Sequence, residues 1–277
     1  MSGKTNPQQQ WVTALLIVAI TLAAGVIWQR FRRPLHAVPP LLQVDDASSK
    51  GLPRLLVYTR TMGYRHSSIP AGVLALQKIG KDEWVTEHTE DPHNFTTENL
   101  ARYQAVVFLS TTGDVLDEEQ QVAFTNYINN GGSFIGVHAA SDTEFGWPWY
   151  GTLVGARFRD HTKVIPIDIQ IEVTDDISTR GLPNPWRHED EWYAFKENPR
   201  GKVEVLASID DTQTGEHNMG GDHPIAWKHP VQHGRSWYTA LGHTTECFAD
   251  ANFLRHLHGG VVWAMHLQQG GAMPMQP

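Results

Sequence analysis

Cysteine is nearly missing from this sequence. Cys247 is the only one among 277 residues, so no intrachain disulfide can form. That leaves the redox compartment open, because disulfide-free proteins occur on both sides of a membrane. Basic charge is also scarce: 22 Lys and Arg stand against 30 Asp and Glu, a formal net charge of −8. Nucleic-acid binding is thereby disfavoured, since phosphates demand a basic footprint. No H-E-x-x-H spacing occurs, so a metal would have to be gathered from separate loops. Internal repeats and low-complexity tracts are missing too.

Two residue types are abundant instead: 15 His and 10 Trp. Histidine titrates near neutrality and binds metals. Tryptophan offers a flat apolar face with one polar handle. Together they suit a site for a polar, ring-shaped ligand, although tryptophans also simply fill cores.

One long apolar run interrupts the polar sequence, from Trp11 to Trp28. As a helix it would span about 26 Å, close to a bilayer core of about 30 Å. Tryptophan sits at both ends, where amphipathic rings prefer the headgroups. The pattern predicts a 10-residue N-terminal tail, a transmembrane anchor over 11–28 and a Pro-containing linker over 29–52. One domain over 53–268 and a tail over 269–277 complete the chain. Arg30, Arg32 and Arg33 after the run favour a cytoplasmic domain by the positive-inside rule. A short N-terminal anchor commonly exports the domain attached to it, and an exported (periplasmic) domain is the expectation.

Within the domain, Leu55–Thr59, Val106–Leu109 and Ser133–Val137 are short buried-strand patterns. A helix start at Ser67–Pro70 follows the first, with Val73, Leu74 and Leu76 facing inward. A helix over Leu116–Asn130 precedes the third and ends at Gly131-Gly132, with Val122, Ala123, Tyr127 and Ile128 facing inward. Such alternation implies an α/β fold with a mostly parallel sheet covered on both faces. Later, Ile165–Val173 alternates apolar and polar residues as a half-buried strand does. Further strands are expected over Val203–Ile209, Ile225–Lys228 and Ser236–Ala240, with a closing helix over Asn252–Leu267.

The most informative segment is Gly136-Val137-His138-Ala139-Ala140. A buried strand ends, and a polar residue follows between small neighbours. This is the spacing logic of a nucleophile elbow, where backbones crowd at a strand-to-helix turn. In open parallel sheets ligands bind at the carboxyl ends of strands. His66, His161 and His243 also follow apolar segments and would converge with His138 if their strands share an edge.

These residues resemble the ThuA-like (trehalose-utilisation) family, a branch of the class I glutamine amidotransferase-like superfamily. The resemblance is carried by Tyr64-Arg65-His66, Gly131-Gly132 through Ala140, Asp142-Thr143, Trp149-Tyr150 and Val154 to Phe158 with His161. It continues through Asp190-Glu191-Trp192-Tyr193, Pro224 to Trp227, Gly234-Arg235 with Tyr238, and Leu241-Gly242-His243. The resemblance implies a flavodoxin-like sandwich and a role with carbohydrates, particularly oxidised (3-keto) glycosides. It also marks a departure: His138 stands where the amidotransferases carry a nucleophilic cysteine, so a glutaminase is not expected.

The chemistry left is acid–base or metal-assisted cleavage, by hydrolysis or elimination. His138, Glu191 and His243 are the catalytic candidates. On a strand, Asp190 and Glu191 point to opposite faces, and Glu191 is the expected inward one. His66, Asp142, Trp149, Trp192, Trp227 and Arg235 are candidates for holding a sugar. A zinc ion on His138, His161 and His243 is the cofactor these residues suit. Two other readings use the same residues: a non-catalytic carbohydrate-binding module, and an accessory subunit of a membrane complex.

Overall fold

The computed structural model describes residues 51–267. Nine strands form one sheet: β1 Arg54–Tyr58, β2 Val85–Thr89, β3 Ala105–Leu109, β4 Ser133–Val137, β5 Phe158–Ile171, β6 Trp186–Phe195, β7 Glu204–Ile209, β8 His223–Val231 and β9 Gly234–Thr239. Five α-helices accompany them: α1 Ile69–Ile79, α2 Thr97–Leu100, α3 Glu118–Asn129, α4 Pro148–Val154 and α5 Ala251–Ala264.

The strand order is β2-β1-β3-β4-β9-β8-β7-β5-β6. From β2 to β9 every pairing is parallel. From β9 to β6 every pairing is antiparallel. This corrects the expected flavodoxin-like, mostly parallel sheet sandwiched by helices; the membrane helix expected before it is not tested by the described residues. The sheet is mixed, because the last five strands in the chain are joined without crossover helices. Among the described residues no helix is long and apolar enough to cross a membrane. The run at 11–28 lies outside the described residues.

The parallel half behaves as its sequence dictates. All residues of β3 and β4 are buried, as strands covered on both faces must be. Helix α3 opens with a capping box, in which Asp117 accepts from the Gln120 amide and Gln120 returns a bond to the Asp117 amide. It buries Phe124, Tyr127 and Ile128, whereas Val122 is exposed. On α1, Ile69, Val73 and Leu76 face the core, and Leu74 points out. Neighbours three and four apart share a helix face, which places Leu74 and Val122 off the stripe their neighbours define.

Strand β2 (Val-Thr-Glu-His-Thr) has no apolar run to announce it; it forms by adding to the edge of β1. Strand β5 begins at Phe158, earlier than its alternating stretch. Register shifts at Phe158/Asp160 and His161/Val164 break the period there.

Candidate functional site

The parallel strands deliver three histidines to one rim. His66 follows β1, His138 immediately follows β4, and His243 follows β9. From the antiparallel half, β6 brings Glu191 and the start of β5 brings His161. Opposite sheet halves thus meet at one point.

His138 is fully buried and takes a left-handed backbone, φ +53°. Such a backbone costs a non-glycine residue of order 1–3 kcal/mol and tends to persist at functional sites. The turn is crowded: a Cβ on Gly136 would lie 2.8 Å from the Tyr238 ring. The His138 ring donates from Nδ1 to the Ala240 carbonyl at 2.7 Å. In the neutral ring this leaves Nε2 as a bare lone pair. Around Nε2 lie His66 Nε2 at 3.1 Å, His243 Nδ1 at 3.3 Å and Glu191 Oε2 at 3.7 Å. Tyr193 packs over the His138 ring at 4.3 Å between centroids.

Glu191 uses both oxygens. Oε2 is 3.1 Å from His243 Nδ1, and Oε1 is 2.8 Å from His161 Nδ1. His161 Nδ1 also faces the Thr162 carbonyl at 2.8 Å. Two acceptors fix the proton on Nδ1 and leave Nε2 free on a half-exposed side chain.

Burial, with neighbouring His138 and His243, pulls the His66 pKa down to about 2. Burial likewise lowers His138 to about 4, against the pull of Asp190. Both rings are neutral near pH 7. For His243, burial pulls down but the bond and charge of Glu191 outweigh it, so its pKa is raised. Burial raises Asp142 to about 6, opposed by Lys196 and His161.

Four donor atoms, one each from His66, His138, His243 and Glu191, lie within 4.8 Å of one another. This set could hold a metal, and it differs from the expected His138, His161 and His243. His161 lies outside it because a bulged segment of β5 seats its ring on the other oxygen of Glu191.

The expected sugar-holding residues separate. Asp142 follows His138 and feels the charge of His161. Trp192 and Trp227 are fully buried, so neither can stack on a sugar. Their indoles donate to Ile165 O and Val154 O, both at 2.8 Å. Trp149 packs on Trp147 and Phe124. Arg235 pairs with Ser133 at the start of β4, the end of the strand opposite His138. It donates to the Trp263 carbonyl at 2.6 Å and lies over that ring. Composition marked these residues as suitable; burial removes Trp192 and Trp227 from the site, and strand direction removes Arg235. The exposed aromatic beside the centre is Tyr64, edge-on to His66 at 4.8 Å and 67% exposed.

Asp190 was less legible. It is fully buried and turned away from Glu191. It accepts from the amides of Glu191 at 2.8 Å, Gly242 at 2.8 Å and His243 at 3.2 Å, and from the Cys247 thiol at 3.0 Å. Burial would raise its pKa, but His188, His138 and these donors outweigh it and hold the carboxyl below its ordinary range. Burial and Asp190 push the Cys247 thiol far up, so no thiolate nucleophile forms there. Only the alternation of strand faces pointed to Asp190; nothing in the spacing announced its link to Gly242.

Fold and site together define an α/β domain with a histidine–carboxylate centre at the meeting of parallel and antiparallel strands. The chain belongs to the ThuA (trehalose utilisation) family, whose model matches residues 54–264. It is similar to a ThuA-like protein from Bacteroides uniformis, with 23% identity over 82% of this chain and 95% of that one, TM-score 0.67. A ThuA-like protein from Parabacteroides merdae is 19% identical over 80% and 94%, TM-score 0.64. A β-galactosidase from Bacillus circulans matches 78% of this chain with only 31% of its own, at 12% identity and TM-score 0.52. At these identities the likeness is one of fold. No curated protein matches the chain with significance. The family places the protein in a carbohydrate-related role.

Proposed function

We propose that this protein is an enzyme that cleaves oxidised (3-keto) glycosides by elimination or hydrolysis at the His–Glu191 centre. The supporting observation is that Glu191 contacts His161 on one oxygen and His243 on the other. A keto sugar needs a base to take the proton beside its carbonyl and an acid to protonate the departing oxygen. Glu191 with His161 forms a proton relay, with His161 Nε2 turned outward to meet substrate. The two buried neutral rings, His66 and His138, lie behind this relay and hold His243 and Glu191 in place. Tyr64 offers its exposed face to the sugar ring.

The test is release of aglycone from a 3-keto-glycoside by the full-length protein, with added zinc and without it. Turnover is expected, and His161→Asn should lower kcat by about 100-fold or more. No turnover in either condition sinks the enzyme reading and leaves a carbohydrate-binding role.

A further inference from the structure

His138 turns its Nε2 lone pair towards a ring of potential metal ligands. Its Nε2 cannot carry the proton, because Nδ1 already donates to Ala240. His243 Nδ1 faces two acceptors, Glu191 Oε2 at 3.1 Å and His138 Nε2 at 3.3 Å. His66 points Nε2 at the same spot, and its Nδ1 is buried with no hydrogen-bond partner. Hydrogen bonds can pair His66 Nε2 with His138 and His243 Nδ1 with Glu191; what singles out the cluster is that four ligand-capable atoms from distant segments converge on one point.

We propose that His66 Nε2, His138 Nε2, His243 Nδ1 and a Glu191 oxygen bind one divalent transition-metal ion, with zinc as the best match. A tetrahedral ion with bonds of about 2.0–2.1 Å needs its ligand atoms about 3.3 Å apart. The observed separations of 3.1, 3.3 and 3.7 Å around His138 bracket that value. Three imidazoles and one carboxylate favour zinc over magnesium or calcium, which prefer all-oxygen shells. The Nδ1–H bond to Ala240 O is the outer contact that fixes a ligating ring. Asp190 adds another by holding the amide of His243. Asp190 itself belongs to a different trio, with His188 and Cys247. That trio is already satisfied, with His188 Nε2 and Asp190 Oδ2 each 3.0 Å from Cys247 Sγ. Four protein ligands fill a tetrahedral shell, so a substrate carbonyl would have to join as a fifth ligand for the ion to polarise it as a Lewis acid. The outward Nε2 of His161 stays free for proton transfer.

The site stands independently of the glycoside reading, and separate measurements test it. Full-length protein is stripped with a chelator, given zinc, and dialysed. One equivalent of zinc is expected by elemental analysis. Cobalt in its place should show the strong visible absorption of a tetrahedral ion. Glu191→Gln and His243→Asn should each weaken zinc by more than about 100-fold, beyond the roughly 10- to 100-fold cost of losing an outer contact. Melting curves confirm folding, and His243→Asn, at the more exposed ligand, serves if another variant fails to fold. Cys247→Ser should keep full stoichiometry. A zinc-free wild type after loading overturns the site, as does zinc that survives both ligand variants. Loss of the ion in Cys247→Ser but not in Glu191→Gln would assign it to the other trio and also overturn the site. Aglycone release by a protein that takes up no zinc on loading would overturn the metal and leave the glycosidase reading standing. Zinc binding without glycoside turnover would do the reverse.

Discussion

Two clusters lie back to back across β6, one residue apart in sequence. Glu191 turns into a group of histidines whose nitrogens converge with a buried atom left over. Asp190 turns into a group where two oxygens receive four donors. The first is open in its hydrogen bonding and partly reachable from solvent. The second is closed and buried. A strand's two-residue period creates this division without any change of residue class. The difference teaches that a carboxylate's role follows from its proton inventory, not from its neighbours in sequence.

That comparison can be broken in several ways. The largest effect is expected for Glu191→Gln, which keeps the shape and removes the charge. Turnover of a 3-keto-glycoside should fall by about 100- to 10,000-fold in a variant that still melts cooperatively. A variant equally active would mean the open cluster is not the reaction centre. Asp190→Asn comes next. Its amide must turn an N–H towards one of four donors, loosening the 242–243 turn. Zinc affinity should fall by about 10- to 100-fold, read by competition with a chromophoric chelator. Unchanged affinity in a folded variant would show that the closed cluster does not position the open one.

Trp227→Ala sharpens the contrast between core and site. It should cost about 3–5 kcal/mol in denaturant unfolding. Zinc stoichiometry should hold, because the indole packs on Tyr238 and Phe195. The smallest effect applies the same reasoning to a closed carboxylate far from the rim. Burial would raise the Asp176 pKa, but Lys228 and the Ser178 donors outweigh it and hold it below the ordinary value. A depressed folded pKa adds stability that is present above the unfolded value and is lost as pH falls through the folded one. The melting temperature of the wild type should therefore drop more steeply than that of Asp176→Asn between about pH 5 and about pH 3. Parallel curves would show that the pair contributes nothing.

How much of this was legible varies by element. Strands β3 and β4 announced themselves as continuous apolar runs, since burial on both faces demands that pattern. Family resemblance was also legible, because its motifs are local and ordered. Strand direction was not. The alternation of Ile165–Val173 set it apart from the continuous runs of the parallel half, but which strands pair, and in which direction, is fixed by hydrogen bonds between distant segments, so the mixed sheet could not be assembled from strand candidates. The tryptophans misled for a related reason: composition supplies a flat ring, and only packing says whether it faces ligand or core.

The sequence by itself determined that a histidine stands at the turn after β4, crowded by small residues, and that the lone cysteine has no basic neighbour to activate it. Those are statements about covalent neighbours, which the chain carries into any fold. Tertiary structure alone decided which atoms meet His138. Its ligand-distance partners come from chain positions 66, 191 and 243, and no local spacing encodes such a meeting. It also decided the tautomer of His138, through a carbonyl 102 residues away. With that proton placed, the other ring nitrogen is free, and the chemistry of the centre follows from it.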